Sequence, residues 1–445
     1  MALAAFALML AAVFLRVPVA AAMGMTGFFG IWVVLGTPNA ALSQLKTLSY
    51  DTFASYSLSI VPLFLLMGQL ASKSGMSAAL FRAAAALIGH RPGGVAMASI
   101  GASAGFGAIC GSSLATASTM GQVALPELRA RGYSGALATG ALAAGGTLGI
   151  LIPPSVILVI YAILTEQNIV EMFAAALVPG LLAVLGYLFA VRLYVAIAPG
   201  AAPPAARMAW RDRLGPLVGV WPVVAIFGLV VGGIVGDWDW TRGGVQALFT
   251  PTEGAAVGAV ATGLYAALSG NLARGDLRDA ILETAAATGL IFLILLGAQV
   301  FNTFLAYTRA PQEIAFWVSG QDVAPLAILL GMLLIYLLLG CVMDSLSMIL
   351  LTIPVFFPIV EGLDFGLGPE ATAIWFGILA LIVVEVGLIT PPVGLNLFII
   401  NRLAQDVPMG RTYLGVLPFI AVDLVRVGLL VAFPGLTLWL VGVIG

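Results

Sequence analysis

Residues 387–392 read Gly-Leu-Ile-Thr-Pro-Pro and interrupt an apolar run that extends over residues 371–402. Proline and glycine break helices, and a break inside a membrane exposes backbone carbonyl and amide groups that must find a partner. An acid, Glu385, lies just before this break, and Asn396 and Asn401 lie beyond it. Beside such intramembrane polar groups, the expected partner of the broken backbone is an ion or a solute. The stretch therefore predicts a broken transmembrane helix over residues 371–402.

The composition predicts an all-α polytopic membrane protein. Of the 445 residues, 61% are hydrophobic and 9% are charged, and the mean hydropathy is +1.12. A soluble fold of this length does not need so much apolar surface, whereas a chain with many membrane-spanning helices does. The net charge of −2 does not indicate a nucleic-acid partner. The two cysteines, Cys110 and Cys341, lie among apolar and small residues and are predicted to be buried free thiols.

Lysine and histidine are too rare for two common chemistries. A phosphate-binding loop requires Gly-Lys-Ser/Thr, but the two lysines, Lys46 and Lys73, follow Leu45 and Ser72, which excludes ATP hydrolysis by that route. His90 is the single histidine, so a histidine-rich metal site and a His-Glu-x-x-His protease site are excluded as well. His90 itself is predicted to be a solvated turn residue.

Apolar runs of about 20 residues predict the transmembrane helices. They lie near 1–15, 18–37, 55–72, 134–165, 172–195, 215–236, 246–268, 283–306, 371–402 and 415–440. The first run lacks the basic residues and the cleavage site of a signal peptide and is interpreted as a span. Segments 93–126 and 323–358 are too long for one span and tight for two, and carry Gly, Ser or Pro near their middles. These two are predicted to be re-entrant helical hairpins.

Shorter segments connect the predicted spans. Residues 200–214, rich in Pro, Ala and Arg, form the main polar linker. Residues 78–88, around Arg82, predict an amphipathic helix at the membrane interface, and residues 310–319 form its poorer counterpart. Such helices either brace a moving domain or simply connect two spans at the membrane surface.

Charged residues predict the orientation. One side of the predicted topology carries most arginines, namely Arg82, Arg91, Arg129, Arg131, Arg207, Arg211, Arg213, Arg274, Arg278, Arg402 and Arg411. By the positive-inside rule that side is cytoplasmic. The other side carries acids, namely Asp51, Glu166, Glu171, Asp237, Asp239, Glu313, Asp322, Glu361, Asp364 and Glu370. Both termini are then predicted to be extracytoplasmic.

An internal repeat relates the two halves of the chain. Residues 149–154 read Gly-Ile-Leu-Ile-Pro-Pro and match residues 387–392, and Pro126 matches Pro358, which aligns Ser112-Ser113 with Asp344-Ser345. Arginines follow the first hairpin and acids the second, whereas acids follow the first broken helix and arginines the second. This reversal predicts two repeats inverted across the membrane, an architecture of secondary transporters. The predicted organisation is N-terminal scaffold spans over 1–52, repeat 1 over 53–198, linker and connecting spans over 199–282, and repeat 2 over 283–445.

The tip of the first predicted hairpin carries candidate ligands. Residues 107–113 read Gly-Ala-Ile-Cys-Gly-Ser-Ser, and Thr116 and Ser118 follow. Small residues allow close backbone approach, and the hydroxyls can bind a hard cation or cap the second hairpin helix. Close packing of small residues between helices is the simpler interpretation. The match with the second half favours ion binding.

Three acids in apolar surroundings are the strongest single signals. A carboxylate in mid-membrane costs about 2.5–3.5 kcal/mol on insertion scales, which makes Asp344 a candidate ion ligand. Asp344 can also cap the second hairpin helix, and the two roles are compatible. Glu385 is either an acid relay or a hydrogen-bond partner of the broken-helix backbone. Glu253, in Thr250-Pro251-Thr252-Glu253, is predicted to form a capping box at the start of a span.

These residues together resemble the large membrane subunit of the tripartite ATP-independent periplasmic (TRAP) transporters, within the ion transporter superfamily. The resemblance covers nearly the whole chain. Its most specific parts are Pro62-Leu63-Phe64 with Met67-Gly68, Gly107 to Ser113, Gly149 to Ser155, Phe249 to Glu253, and Gly387 to Phe398. One departure is Gly254, where the family pattern has alanine.

The resemblance implies an elevator mechanism, in which a domain holding both hairpins slides against a scaffold in the bacterial inner membrane. It implies one sodium site at Ser112, Ser113 and Gly149, and a second at Asp344, Ser345, Gly387 and Thr390. The substrate is expected between them, lined by Gly111, Pro153, Pro154, Ser155, Pro391 and Asn396. Sodium ions are the coupling ions, and no other cofactor is implied. The implied partners are a small four-helix membrane subunit, separate from this chain, and an extracytoplasmic substrate-binding protein.

The leading hypothesis is a sodium-coupled importer of a small organic acid, such as a dicarboxylate, a keto acid or sialic acid. A sodium/carboxylate symporter that works without a binding protein shares the inverted repeat, but the Thr250 to Glu253 motif argues against it. A membrane-embedded enzyme is a third hypothesis. It would need a nucleophile–base pair or a metal site, for which the sequence offers no candidate.

Overall fold

The described part of the chain is helical. The computed structural model describes residues 1–236, 247–320 and 323–444, and over these ranges two short 3-10 turns accompany the α-helices and no strand occurs. The predicted all-α architecture is confirmed. Asp237, Asp239 and Asp322, which the sequence assigns to the extracytoplasmic side, lie outside the described residues.

The α-helices follow one another in this order: Ala2–Phe14, Val19–Leu35, Pro38–Phe53, Ile60–Lys73, Met76–Ile88, Gly94–Cys110, Ser113–Ala130, Gly135–Leu151, Val156–Leu164, Ile169–Ile197, Trp210–Val218, Trp221–Val235, Pro251–Leu268, Asp276–Thr308, Ala310–Ser319, Pro325–Gly340, Ser345–Glu361, Pro369–Gly387, Leu395–Leu403, Met409–Ala432, Gly435–Leu438 and Val441–Ile444.

Several of these helices are long and apolar enough to cross a membrane. Among the described residues, four pass by themselves, namely Ile169–Ile197, Asp276–Thr308, Pro369–Gly387 and Met409–Ala432. The number rises to seven if each of three bent pairs counts as one span, namely Pro38–Phe53 with Ser57–Lys73, Gly135–Leu151 with Val156–Leu164, and Trp210–Val218 with Trp221–Val235. Other predicted spans, such as the one near 18–37, correspond to shorter apolar helices.

Pro38–Phe53 and the first half of Trp210–Val218 lie where the sequence predicted no helix. Pro38–Phe53 begins at Thr37, whose hydroxyl accepts a hydrogen bond from Asn39 N at 3.3 Å, and its polar composition conceals it from a search for apolar runs. Trp210–Val218 covers the end of the predicted 200–214 linker and the start of the span predicted near 215–236, so the linker contains a helical segment. Here the Arg213 guanidinium lies 4.8 Å from the centre of the Trp210 ring, and this stacking supports the helical turn.

Both predicted re-entrant hairpins are present as pairs of helices. We call Gly94–Cys110 with Ser113–Ala130 the first hairpin, and Pro325–Gly340 with Ser345–Glu361 the second hairpin. In each hairpin, the residue that the repeat predicts caps the start of the second helix. Ser112 Oγ accepts from Ala115 N at 3.4 Å, and an Asp344 carboxylate oxygen accepts from Ser347 N at 3.0 Å.

Both predicted broken helices are present as well. We call Gly135–Leu151 with Val156–Leu164 the first broken helix, and Pro369–Gly387 with Leu395–Leu403 the second broken helix. The first is bent by 45° at its connector, residues 152–155, where the predicted Pro-Pro pair lies. The second is interrupted by a longer connector, residues 388–394. Each half of the chain thus contains a hairpin followed by a broken helix, in the predicted order.

Two groups of helices surround the hairpins. Val19–Leu35 packs on Asp276–Thr308 so closely that a Cβ at Gly27 would lie 2.7 Å from Phe301 N. Ile169–Ile197 and Met409–Ala432 pack instead on the first broken helix, where Gly415 lies against the Ala136 carbonyl. Small residues allow this backbone approach between membrane helices. The predicted domain boundaries stay predictions.

Arginine-rich loops meet at one end of the molecule. Arg129 forms an ion pair with Asp406, which joins the loop after the first hairpin to the loop after the second broken helix. Ser134 N donates to Ala201 O at 2.8 Å, which adds the 199–205 segment to the same end. His90 lies in the turn after Met76–Ile88, and desolvation and the nearby arginines, Arg207 first, lower its pKa. The assignment of this end to the cytoplasm stays a prediction.

Candidate functional site

The tip of each hairpin packs on the connector of the broken helix in the same half. Gly111 has a positive φ of 63°, and a Cβ there would lie 3.3 Å from the Pro154 carbonyl oxygen. In the second half, Gly394 N donates a hydrogen bond to Cys341 O at 3.0 Å. The hairpin tips and the helix breaks, which the sequence predicts separately, therefore form one site in each half.

A contact between two glycines holds each tip in place. A Cβ at Gly107 would lie 2.5 Å from Gly149 Cα, and a Cβ at Gly387 would lie 2.6 Å from Gly340 Cα. Distances this short mean that backbone packs directly on backbone, which only glycine allows. In both halves, the end of the first hairpin helix thus contacts the end of the first segment of the broken helix.

The residues predicted for the first ion site lie close together. The position of a Cβ on Gly149 lies 2.8 Å from the Ser112 carbonyl oxygen and 2.5 Å from Thr116 Oγ1. Ser112, Ser113 and Gly149, which the sequence placed in one site, are thereby brought together, with Thr116 as a further neighbour. Thr116 Oγ1 is buried and has no hydrogen-bond partner among the described residues.

Glu385 joins the two hairpin tips. Its side chain is 1% exposed, one carboxylate oxygen accepts a hydrogen bond from Ser113 Oγ, and the other accepts from Ser345 Oγ at 2.6 Å. The backbone bond that the sequence offered as one role for Glu385 is therefore wrong, because hydroxyls of both hairpins occupy the carboxylate. A serine that donates to Glu385 keeps its oxygen lone pairs for another partner.

Only some of the residues predicted for the second ion site lie close together. Ser345 Oγ donates to Glu385, which lies two residues before Gly387 in the same helix. Gly387 itself contacts Gly340, at the end of the first helix of the second hairpin. Asp344 is half-buried and caps its helix, as one of its two predicted roles requires. Thr390 Oγ1 donates to Val386 O at 2.6 Å. No hydrogen bond joins Asp344 to Thr390 among the residues described.

The residues predicted to line the substrate site lie in and beyond the two connectors. Pro153, Pro154 and Ser155 are buried beside Gly111, and Pro391 is half-buried. Asn396 is fully buried in the second segment of the second broken helix. Its Nδ2 donates to Ala143 O in the first broken helix at 3.4 Å, so that it links the two repeats.

Unpartnered oxygens surround this region. Ser155 Oγ and Asn396 Oδ1 are buried and, like Thr116 Oγ1, have no hydrogen-bond partner among the described residues. Buried polar atoms normally have a partner, and the few that lack one need an explanation. Oxygen atoms are the ligands that hard cations prefer, so the donor set around the first tip fits a cation such as sodium.

A buried polar chain leads away from the tips, and sequence reasoning missed it. Thr147 Oγ1 is 2.9 Å from Tyr187 Oη, which donates to Asp423 at 2.7 Å, and Asp423 in turn pairs with Arg426 at 2.7 Å. Asp423 and Arg426 are both almost fully buried. The available signal was an acid and a base three residues apart within the apolar run 415–440.

Glu253 has the predicted role. Thr250 Oγ1 accepts from Glu253 N at 3.3 Å, and the Glu253 carboxylate accepts from Thr250 N at 2.8 Å. Both bonds of a capping box are present at the start of Pro251–Leu268. Glu253 is therefore a helix cap, as the sequence indicated.

The chain matches the family model described as "Tripartite ATP-independent periplasmic transporter, DctM component" over residues 6–436. It belongs to this family. The family resemblance found in the sequence is thereby confirmed. As a TRAP large permease, the chain is a multi-pass inner-membrane component of a tripartite system, together with a small membrane subunit and a substrate-binding protein.

Relatives and a solved structure agree with this assignment. The chain is 33% identical over 422 residues to the C4-dicarboxylate TRAP transporter large permease protein DctM of Pseudomonas aeruginosa, covering 94% of this chain and 92% of that protein. It is 30% identical over 393 residues to the sialic acid TRAP transporter large permease protein SiaM of Vibrio cholerae, covering 87% and 86%. The crystal structure of the Alcanivorax borkumensis YdaH transporter has a similar fold, with a TM-score of 0.61, 17% identity and 89% of each chain covered.

Proposed function

We propose that this TRAP large permease imports a small organic acid together with sodium ions by an elevator mechanism. The observation that carries the proposal is the pair of hairpin tips, each packed on a helix break and both hydrogen-bonded to Glu385. Two such tips, from repeats of opposite orientation, offer two ion sites on either side of one substrate position. The names of two relatives, which specify a C4-dicarboxylate and sialic acid, support a carboxylate as the substrate class.

The first sodium ion is assigned to Ser112, Ser113 and Gly149, with Thr116 Oγ1 as an additional oxygen ligand. The hydroxyl is buried and has no partner among the residues that the structure describes, which supports this addition. The second ion is assigned to Asp344, Ser345, Gly387 and Thr390. We place the substrate between the tips and near Ser155 and Asn396, whose buried oxygens have no hydrogen-bond partner in the described part of the chain. An acid substrate needs donors, which the hydroxyl of Ser155 and backbone amides of the connectors can provide.

A sodium gradient is expected to be necessary for uptake. The chain lacks a phosphate-binding loop, so it does not hydrolyse ATP by that route, and an ion gradient is the energy source that we propose. The test uses proteoliposomes with the permease and its small subunit, the binding protein outside, and a labelled organic acid, beginning with a C4-dicarboxylate and sialic acid. Uptake should require an inward sodium gradient and the binding protein.

Two outcomes of this experiment would contradict the proposal. Undiminished uptake when a potassium gradient of the same size replaces the sodium gradient would show that import is not coupled to sodium. Uptake without the binding protein would favour the symporter that works alone. A sodium-dependent rise in the melting temperature of the purified permease, absent with potassium, tests ion binding without any choice of substrate.

Asp344→Asn is expected to raise the sodium concentration for half-maximal stabilisation by about tenfold or more, because hydrogen bonds and contacts to a full charge contribute roughly 1.5–3 kcal/mol. Asparagine is as good a helix cap as aspartate, so the variant should remain folded. Asp364→Asn is the matched control, since Asp364 lies beyond the far end of the same hairpin and bonds Gly366 N at 2.8 Å. An unchanged sodium dependence in Asp344→Asn would leave Asp344 as a helix cap only.

A further inference from the structure

A basic cavity lies at the arginine-rich end of the molecule, away from the hairpin tips. Its volume is about 870 Å³, and it is bounded by the turn before the first hairpin, by the end of Ile169–Ile197 and by the 199–204 segment. Two charged residues line it, Arg91 and Arg192, and its remaining lining is apolar, including Met97 and Leu188. Neither arginine forms an ion pair or a side-chain hydrogen bond within the described ranges.

The cavity opens onto an exposed apolar surface. In the second half of Ile169–Ile197, exposed apolar residues recur at every fourth position, namely Leu181, Leu185, Phe189, Leu193 and Ile197. Residues four apart are neighbours on a helix surface, and each step turns by only about 40°, so these residues form a continuous stripe that winds slowly around the helix. The stripe passes Phe189, which lines the cavity, and reaches the level of Arg192. An acyl chain fits such a stripe, and the two arginines lie at its polar end.

The walls of the cavity are fixed by backbone contacts. Gly93 N donates to Ala202 O at 3.4 Å, and Ala205 N donates to Gly89 O at 3.1 Å, which joins the turn to the linker. Gly93 has a φ of 74°, and a Cβ there would lie 2.9 Å from Val191 Cγ1 on the long helix. These contacts therefore hold together the turn that carries Arg91 and the helix that carries Arg192.

We propose that this cavity binds the headgroup of an anionic phospholipid, such as phosphatidylglycerol, with one acyl chain along the stripe. Two arginines without an acid in the lining favour a headgroup with a net negative charge over a zwitterionic one. Arginine binds phosphate oxygens through its planar set of donors. The apolar stripe favours a lipid over free phosphate, which gains nothing from it. Because the turn leads directly into the first hairpin at Gly94, the bound lipid lies beside the moving part of the proposed elevator.

The test places a reporter on the stripe without changing the cavity lining. Leu185→Cys is labelled with a bimane fluorophore; the two native thiols, Cys110 and Cys341, are buried. The full chain is then reconstituted in two series of phosphatidylcholine vesicles. One series contains increasing fractions of brominated phosphatidylglycerol, and the other contains increasing fractions of brominated phosphatidylcholine. The brominated acyl chains quench the probe on contact. Phosphatidylglycerol should reach half-maximal quenching at a mole fraction several times lower than phosphatidylcholine.

Arginine variants decide where the preference originates. Each arginine near a membrane surface strengthens binding to anionic lipid by roughly fivefold, so Arg91→Gln with Arg192→Gln should make the two quenching curves coincide. Arg278→Gln, an exposed arginine at the start of Asp276–Thr308, should keep the preference. Unchanged quenching by phosphatidylcholine in the double variant shows that the protein still presents the stripe to the bilayer.

Three results would overturn the proposal. The first is equal quenching by the two lipids in the unaltered chain. The second is a preference for phosphatidylglycerol that survives in the double variant. The third is loss of the preference when inorganic phosphate, but not the same concentration of chloride, is added, because the cavity would then bind free phosphate.

Discussion

Glu385→Ala is expected to reduce uptake by at least about 100-fold while the protein remains in the membrane. The substitution removes the acceptor of both Ser113 and Ser345, and hydrogen bonds to a charged group contribute roughly 1.5–3 kcal/mol each. Without the carboxylate, the two buried hydroxyls lose the partner that orients their lone pairs toward the proposed ions. Initial uptake rates in proteoliposomes, normalised to the amount of reconstituted protein, provide the measurement.

Two further substitutions separate the role of Glu385 from a general loss of stability. Glu385→Gln keeps the size of the side chain but replaces one acceptor oxygen by a donor, so one serine has to accept where it formerly donated. Its uptake should fall between those of Glu385→Ala and the unaltered chain, with a weaker response to sodium. Glu361→Gln, an exposed acid at the end of the second hairpin, should transport normally. Uptake by Glu385→Ala within a factor of about two of normal would leave Glu385 with no part in transport.

The helical elements near the site could be predicted because their signals are local. A break needs glycine or proline within a few residues, and residues 149–154 and 387–392 provide both. The caps of the second hairpin helices were equally visible at Ser112 and Asp344, since a cap depends only on the residues three positions further along. Pro38–Phe53 was missed for the complementary reason: its residues are polar enough to interrupt every apolar window.

The partners of Glu385 could not be predicted in the same way. Ser113 precedes Glu385 by 272 residues, and the contact exists only because the two hairpins, from different repeats, face each other. An internal repeat predicts that two tips have the same local structure, but it does not give the distance between them. The repeat does identify the counterpart of Glu385, which is Thr147, two residues before Gly149 as Glu385 is two before Gly387.

This asymmetry between Thr147 and Glu385 gives the two halves different polar connections. Glu385 bonds the tips, whereas Thr147 bonds Tyr187 and through it the buried pair of Asp423 and Arg426. A buried ion pair is weak evidence for stability, because desolvation of two charges offsets much of their attraction. Through these contacts the pair joins the flanking helices Ile169–Ile197 and Met409–Ala432 to the first broken helix.

Gly107→Ala is expected to abolish transport almost completely, in contrast to Gly101→Ala on the same helix. A Cβ at Gly107 would lie 2.5 Å from Gly149 Cα and 3.0 Å from Gly149 N, both backbone atoms that cannot rotate away. Overpacking of this kind typically costs about 1–3 kcal/mol and displaces backbone, which here carries the first proposed ion site. A Cβ at Gly101 would meet nothing within 4 Å.

The pair of substitutions isolates the steric effect from helix propensity. Alanine stabilises a helix interior by roughly 1 kcal/mol relative to glycine, so Gly101→Ala should melt at the same temperature as the unaltered chain or slightly higher. The Gly107→Ala variant gains the same helix propensity, but its added methyl group pushes the first hairpin away from the first broken helix. It should therefore lose sodium-dependent stabilisation at the first site as well as uptake. Gly387→Ala, whose Cβ would lie 2.6 Å from Gly340 Cα, should have the same effect in the second half. If Gly107→Ala transports as well as Gly101→Ala, the glycine contact does not determine the geometry of the tip.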